Sequence, residues 1–160
     1  MASRKVVYLA VNGTLMRGFG LHHNLLKHEA RYLETTKTEP SYRIWSINDA
    51  HPGMIRVSKG GRPVTVEVYK IPSKGLARIL IHEPAGLCIG KIKLANQAEV
   101  LGVLAESALL ENQKEITEFG GWAEYVDSVG VSNLLGQRVQ GGDWCPDAPE
   151  EELQIYQNHK

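Results

Sequence analysis

The chain has 160 residues, in which 18 Lys and Arg balance 18 Asp and Glu, so its formal net charge is zero. Without a basic field for a phosphate backbone, nucleic acid is not an expected partner. The length suits one compact domain that folds without a metal ion or a disulfide framework, since only two cysteines occur. With no leader before Val6 and no apolar run near the roughly 18 residues that span a bilayer, we expect a soluble cytoplasmic protein with no membrane partner.

The first predicted element is an apolar strand over residues 6–11, which leads into a turn of small and polar residues at 12–18. A strand end is rigid, so it holds the N–H groups of the following turn in fixed directions. Gly13 lets a ligand approach this backbone without meeting a Cβ atom. The junction is therefore the first predicted binding site.

The next elements are predicted from spacing and from turn residues. Apolar residues recur at helical spacing over 21–32, which predicts a helix. A strand over 41–47 follows Pro40, and a turn is predicted at 48–53. Two further strands, 54–57 and 64–71, are separated by a glycine turn and are predicted to form a hairpin.

The second half continues as strands and short helices. Its predicted elements are a helix over 76–81 that Pro84 closes, hairpin strands at 89–94 and 100–105, a segment at 113–119 and a helical turn at 122–126. The pattern fades beyond Gly130, so we divide the chain into a domain at 1–130 and a C-terminal tail at 131–160. The tail is expected to pack on that domain or to extend from it. Its end is a candidate for one helical turn. These elements indicate an α+β fold.

Standard catalytic signatures are absent from the sequence. It contains no glycine-rich phosphate loop, no dinucleotide-binding motif and no serine-hydrolase elbow, so no cofactor is expected. His22, His23 and His28 share the predicted helix, but adjacent side chains on a helix point about 100° apart and a five-residue step separates faces. We therefore expect surface or capping histidines and no metal site.

Several motifs occur in a fixed order between residues 5 and 126. They are Val-Asn-Gly-x-Leu-x-x-Gly from residue 11, Pro-Gly-x-Ile-Arg-Val from residue 52, Val-Glu-Val-Tyr-x-Ile-Pro from residue 66 and Ile-Thr-x-Phe-Gly-Gly-Trp from residue 116. In this order they resemble the C-terminal domain of allophanate hydrolase, which belongs to the gamma-glutamylcyclotransferase-like fold family. The resemblance implies a small curved mixed β-barrel with short flanking helices and a polar pocket at the end of the first strand.

The sequence departs from this family at two points. No segment carries the lysine and two serines of the amidase region, which predicts a stand-alone homologue. In the family, the histidine associated with decarboxylation lies two residues after the glycine that Gly13 matches, and here that position is Leu15. The same residue therefore cannot supply decarboxylation, and His22, His23 or His82 are the alternatives from other elements.

The wider fold family implies another chemistry. There a loop holds the substrate carboxylate with backbone N–H groups, and a glutamate after a short helix transfers protons. Glu83 matches that glutamate in position, and a general base requires such a partly desolvated carboxylate. The alternative is a solvated turn residue ahead of Pro84. The residues that match the loop are Asn12, Gly13, Thr14 and Leu15.

Two arginines complete the set of candidate substrate-binding residues. Arg17 and Arg56 could each grip a carboxylate with two parallel hydrogen bonds, although most arginines are surface residues. Asn12 and Thr14 have an alternative too, since their side chains could simply satisfy backbone groups at the strand end.

Two functions of different classes follow. The first is a small enzyme, a cyclotransferase-like transferase or an allophanate-hydrolase-related lyase or hydrolase, that acts on a carboxylate-bearing amide, carboxyurea or gamma-glutamyl-type molecule through Glu83. The second is a non-catalytic module that binds a small carboxylate metabolite or pairs with an amidase chain. The expected partner is in either case a small molecule with a carboxylate, and a homodimer is left open.

Overall fold

The computed structural model describes residues 5–159 and contains two sheets and four α-helices in that range. The strands are β1 Val6–Val11, β2 Arg31–Lys37, β3 Tyr42–Ile47, β4 His51–Arg56, β5 Thr65–Pro72, β6 Leu87–Lys93, β7 Glu99–Ala105 and β8 Lys114–Glu115. The helices are α1 His22–Lys27, α2 Ser73–His82, α3 Trp122–Val129 and α4 Glu150–Gln157. Short 3₁₀ turns lie at Ser107–Leu110, Thr117–Phe119 and Leu134–Gly136. None of these helices has the length and apolar character to cross a membrane.

The larger sheet has five strands in the order β2-β5-β1-β7-β6, with β1 at its centre. β1 runs parallel to β7 and antiparallel to β5, so the sheet is mixed. The two edge strands meet at one end, where Thr38 forms an isolated antiparallel bridge with Leu94. The Glu39 N–H donates to the Lys93 carbonyl there, and the Ala95 N–H donates to the Lys37 carbonyl, each at 2.9 Å. The sheet is therefore curved until its edges touch, and the expected α+β class with a curved mixed barrel and short helices is confirmed.

The smaller sheet consists of β3 between β4 and β8. β4 also lies against β7 of the larger sheet, as shown by the tight approach of Gly53 to Ala105. The core beneath both sheets is built from large side chains that are at most 1% exposed, including Leu9, Tyr42, Tyr69 and Trp122. This packing brings the start of β4 beside the end of β1.

The predicted helix over 21–32 is wrong in its second half. α1 ends at Lys27, and residues 31–37 form β2 instead. The break occurs because Glu29 takes a left-handed conformation with φ of 63°, and the Ala30 N–H closes the helix by donating to the Leu25 carbonyl. β2 buries only Leu33, so it shows no clear strand alternation, and Leu33 also fits the helical spacing.

The predicted hairpin between residues 54–57 and 64–71 is also wrong. β4 pairs with β3, whereas β5 pairs with β1 and β2. The tight turn lies earlier, at Asn48 and Asp49, whose φ values of 53° and 56° reverse the chain between β3 and β4. β4 consequently begins at His51, inside the predicted turn. The helix over 76–81, the hairpin of β6 with β7 and the terminal helical turn are observed.

Residues 131–159 contact the rest of the molecule at several buried positions. Cys145, Ala148 and Tyr156 are each at most 5% exposed and belong to the main core. The Tyr32 N–H donates to the Pro146 carbonyl at 2.9 Å, and the Ala148 N–H donates to the Tyr32 carbonyl at 2.8 Å. The segment thus pairs with β2 as well as packing on the core.

Candidate functional site

A cavity of about 230 Å³ opens where β1 ends. Several separate pieces of chain form its wall: residues 11–15 at the end of β1, residues 20–21, residues 50–52 at the start of β4, Glu83 with Pro84 and Leu87 after α2, Val103 of β7, and residues 134–135. The sequence predicts the loop and Glu83 for this site. The structure adds the other parts of the wall.

The loop after β1 carries unpaired backbone donors. The N–H groups of Gly13, Thr14 and Leu15 have no acceptor within residues 5–159. The carbonyls nearby are used, since Gly13 accepts from Met16 at 2.9 Å and Thr14 accepts from Leu21 at 3.0 Å. Successive unpaired N–H groups in a turn form a concavity that attracts anions. The loop therefore has the chemistry to hold a carboxylate.

Glu83 lines the same cavity. Pro84 places it there, because the residue before a proline avoids helical backbone angles, and Glu83 accordingly ends α2 with φ of −70° and ψ of 151°. Its side chain is half-buried and has no hydrogen-bond or ion-pair partner among the residues that the structure describes. Burial raises the pKa of the Glu83 carboxyl above its ordinary value.

Sequence reasoning missed a titratable group on the cavity wall. His51 lines the cavity from the first position of β4. Its Nδ1 lies 3.0 Å from the Pro52 carbonyl, and because a carbonyl can only accept, Nδ1 is the donor. In the neutral ring this leaves Nε2 as an acceptor. Only a correct β3–β4 hairpin could have revealed this placement.

Gly13 is also needed for a steric reason that the sequence does not indicate. A Cβ atom at this position would lie 2.4 Å from Cδ of Pro52, so the proline ring occupies the space that a side chain would need. Asn12 is likewise engaged with the scaffold, since its side-chain amide donates to the Val103 carbonyl at 3.0 Å and contacts Sδ of Met54 at 3.8 Å. These contacts fix the loop against β4 and β7.

Another part of the wall is a pair of leucines on the 3₁₀ turn Leu134–Gly136. The Asn133 side chain begins this turn by accepting from the Leu135 N–H, and it also donates to the Asn48 carbonyl at 3.0 Å. Gly136 packs so closely on the turn before β4 that a Cβ atom would lie 2.0 Å from the Asp49 carbonyl oxygen. Leu134 and Leu135 are therefore held in place beside the cavity.

The structure does not bring the two candidate arginines to the cavity. Arg17 reaches the C-terminal segment, where its guanidinium donates to the Cys145 carbonyl at 2.6 Å and to Asp147 at 2.9 Å. Arg56 is the last residue of β4, at the opposite end of the strand from His51, and forms an ion pair with Glu39. Both guanidinium groups bind protein acceptors, which is a structural use of the bidentate chemistry that the sequence suggested for a ligand.

The alternative histidines also lie outside the cavity lining. His22 is 2% exposed, and its Nε2 accepts from the Cys145 N–H at 3.0 Å while its Nδ1 donates to the Leu15 carbonyl at 2.9 Å. Burial lowers the pKa of His22, which favours this neutral form. His23 and His82 are exposed. Within residues 5–159 no group of three or more His, Cys, Asp or Glu side chains is arranged to hold a metal ion.

Comparisons with known proteins agree with the motif pattern. The family model of the allophanate hydrolase C-terminal domain matches residues 7–127. The urea amidolyase of Lachancea kluyveri is 29% identical over 128 residues, which are 76% of this chain but 7% of the amidolyase. This chain thus corresponds to a small part of that relative.

Solved structures give the same result. A uropathogenic E. coli-specific protein is 54% identical, with a TM-score of 0.76 over 77% of this chain and 97% of that one. Kluyveromyces lactis allophanate hydrolase is 30% identical, with a TM-score of 0.74 over 78% of this chain and 22% of the hydrolase. An AIG2-like protein of Mus musculus shares only the fold, at 15% identity and a TM-score of 0.53 over 91% of this chain and 97% of that one. The chain belongs to the allophanate hydrolase C-terminal domain family, on the gamma-glutamylcyclotransferase-like fold.

Proposed function

We propose that the protein is an enzyme that acts on a small carboxylate-bearing amide, carboxyurea or gamma-glutamyl-type compound, with Glu83 transferring protons. One observation carries this proposal: an unpartnered, half-buried carboxylate lines the same cavity as three unpaired backbone N–H groups. A buried acid without a partner costs folding free energy, and such groups concentrate at functional sites.

The loop supplies the orientation of the substrate. A substrate carboxylate that accepts from the N–H groups of Gly13, Thr14 and Leu15 would be held by charge-assisted hydrogen bonds. The Thr14 side chain also has no partner within residues 5–159 and adds a hydroxyl donor. This mode of binding needs no arginine, which agrees with the placement of Arg17 and Arg56 away from the cavity.

Glu83 supplies the proton movement. When a free amine of the substrate attacks the amide carbonyl, one C–N bond forms and the original C–N bond breaks. The ionised Glu83 accepts the proton that the attacking nitrogen loses and returns it to the leaving nitrogen. The raised pKa of Glu83 suits this exchange, because it brings the carboxyl closer to the pH at which both forms are available. His51 offers a second acceptor at Nε2 on the facing wall.

The test is turnover by a Glu83→Gln variant on a panel of amides, carboxyureas and gamma-glutamyl compounds. We expect kcat/KM to fall about a hundredfold or more, the ordinary contribution of general acid–base catalysis. Glu111→Gln is the matched control, because Glu111 is exposed and lies outside the cavity lining. Cooperative thermal unfolding of both variants shows that the fold is kept. Turnover by Glu83→Gln at the wild-type rate would reject the assignment.

A second candidate function is a non-catalytic module that binds a small carboxylate or an amidase chain. Leu15 favours it, since the resemblance implies a histidine there, and this leucine is 5% exposed and lines the cavity. Membership of a domain that forms 22% of Kluyveromyces lactis allophanate hydrolase makes an amidase region the natural partner. Carboxylate binding by the wild type without turnover of any panel compound identifies this function, and co-purification with an amidase identifies the partner.

We also place the protein in the cytoplasm. The support is redox chemistry, because Cys88 and Cys145 are both free thiols. Detection of the tagged protein in a cell fraction other than cytosol would contradict the placement.

A further inference from the structure

The walls of the cavity are too apolar to bind a ligand that carries two negative charges. Apart from Glu83 and His51, the side chains beyond the loop are hydrocarbon, contributed among others by Pro84, Leu87 and Val103. No Lys or Arg belongs to the lining within the part of the chain that the structure describes. A second ligand carboxylate placed against these walls would lose its hydration without gaining a cation. The cavity thus has one end for an anion and no provision for another.

The mouth of the cavity extends this apolar wall into solvent. Leu134 is 81% exposed and Leu135 is 70% exposed, yet both are fixed in position by the Asn133 cap and by the packing of Gly136 on Asp49. Leu21 adds a third leucine, 36% exposed, to the same lining. Exposed leucines clustered at the rim of a concave site are typical of a surface that a ligand covers.

The volume limits what can cover them. An apolar cavity of about 150 Å³ holds one benzene ring. The present cavity of about 230 Å³ has room for such a group together with a carboxylate or an amide. It is too small for a nucleotide or an extended peptide, since pockets for drug-sized ligands begin at about 300 Å³.

We infer, resting on the proposed function, that the substrate is a monocarboxylate whose other end is a branched aliphatic or aromatic group packed against Leu134, Leu135 and Leu87. The carboxylate lies on the N–H groups of the loop, and the apolar group excludes water from Glu83. Within the substrate class of the proposed function, this favours an amide that carries an apolar group over dicarboxylates and over small polar carboxyureas. The leucines at the cavity mouth (Leu21, Leu134 and Leu135), here called the rim, accordingly select the substrate, and Glu83 transfers the proton.

The test uses two matched pairs of probes, acetate with phenylacetate and acetamide with phenylacetamide. Dissociation constants are measured by titration calorimetry or by chemical-shift changes. We expect the phenyl compound of each pair to bind about tenfold tighter or more, because burying a ring of this size is worth at least that factor. Succinate, which has a second carboxylate in place of the ring, is expected to bind no tighter than acetate.

The two probe pairs distinguish the inferred apolar preference from the carboxylate site of the proposed function. Equal binding of acetate and phenylacetate, or tighter binding of succinate, would overturn the inference while leaving the carboxylate loop intact. A phenyl preference in the amide pair with no binding of either carboxylate would keep the apolar rim but reject the carboxylate site of the proposed function. Absence of binding by all five probes would overturn both.

Substitutions of the exposed leucines test whether these residues cause the preference for the phenyl group. Leu134→Ser with Leu135→Ser is expected to lower the phenylacetate-to-acetate ratio severalfold while leaving the affinity for acetate unchanged. Ile81→Ser is the matched control, since Ile81 is 76% exposed on α2 and does not line the cavity. Both leucines project into solvent, so their replacement is compatible with folding. A ratio unchanged by the double substitution would contradict the assignment.

Discussion

His22 and Glu83 are two titratable side chains beside the loop 12–15. They differ in whether their polar atoms have hydrogen-bond partners. His22 uses both ring nitrogens, one toward the Leu15 carbonyl and one toward the Cys145 N–H. Glu83 has no partner among residues 5–159, although burial affects it as well. Burial lowers the pKa of His22 and raises the pKa of Glu83, so in each case the neutral form is favoured.

This difference distinguishes a residue that supports the structure of the loop from one that is available to react. The neutral form of His22 is the one that makes both hydrogen bonds, so its burial is compensated and it joins the C-terminal segment to the cavity loop. The ionised form of Glu83 receives no compensation, so its lone pairs remain available to a ligand. We therefore regard His22 as a residue that positions the loop and Glu83 as the candidate that reacts.

Removing His22 is expected to produce the largest change in stability. His22→Ala leaves the Leu15 carbonyl and the Cys145 N–H without partners and creates a void beside Tyr69, whose ring lies 5.9 Å from the imidazole. The expected cost is about 2–4 kcal/mol of unfolding free energy, measured by urea denaturation. His23→Ala is the control, because His23 is exposed, and it should cost about 0.5 kcal/mol or less. Equal losses in the two variants would contradict the structural role of His22.

Acidification should weaken the wild type through the same residue. Because the folded-state pKa of His22 lies below the ordinary value of 6.5, the unfolded chain takes up the proton first as pH falls. The stability that neutral His22 contributes is present above pH 6.5 and is lost as pH falls through the lowered pKa. Unfolding free energies measured from pH 7 to pH 5 at constant salt should therefore decline more steeply in the wild type than in His22→Ala. Parallel curves would show that His22 does not carry this dependence.

Much of the fold could be predicted from local patterns, and the failures have a common cause. The strand 6–11, the helix before Pro84 and the β6–β7 hairpin are specified by neighbours in sequence. β2 and the pairing of β4 depend instead on left-handed residues, Glu29 in one case and Asn48 with Asp49 in the other. Left-handed glutamate is rare, so the sequence gives no warning of the break at Glu29. The turn at 48–53 is predicted, but the tight reversal at Asn48 and Asp49 that pairs β4 with β3 is not.

The candidate site divides in the same way. The loop and Glu83 could be predicted because each lies beside an element boundary that glycine or proline marks. His51, Leu134 and Leu135 could not, because they reach the cavity through the turn at Asn48 and through a segment whose sequence shows no periodicity. The partners of Arg17 could not be predicted for the same reason, since they lie about 130 residues further along the chain.

The smallest expected effect is a gain of stability in Glu83→Gln, and it has the opposite sign to the effect at His22. The folded-state pKa of Glu83 lies above its ordinary value of 4.5, so the folded protein retains a proton that the unfolded chain has released. As pH rises above 4.5 the wild type therefore loses stability, until Glu83 is ionised in both states. Glutamine is neutral throughout and suffers no such loss.

The melting temperature of Glu83→Gln should accordingly exceed that of the wild type by a few degrees at pH 7 and match it near pH 4. Glu111→Gln, at an exposed position, should follow the wild type at both values. A variant that melts below the wild type at pH 7 would show that Glu83 has a stabilising partner in solution, and its assignment as the reacting group would fail. A variant that is more stable but inactive would show that the cavity keeps this carboxylate at a cost to folding, as expected of a site reserved for a ligand.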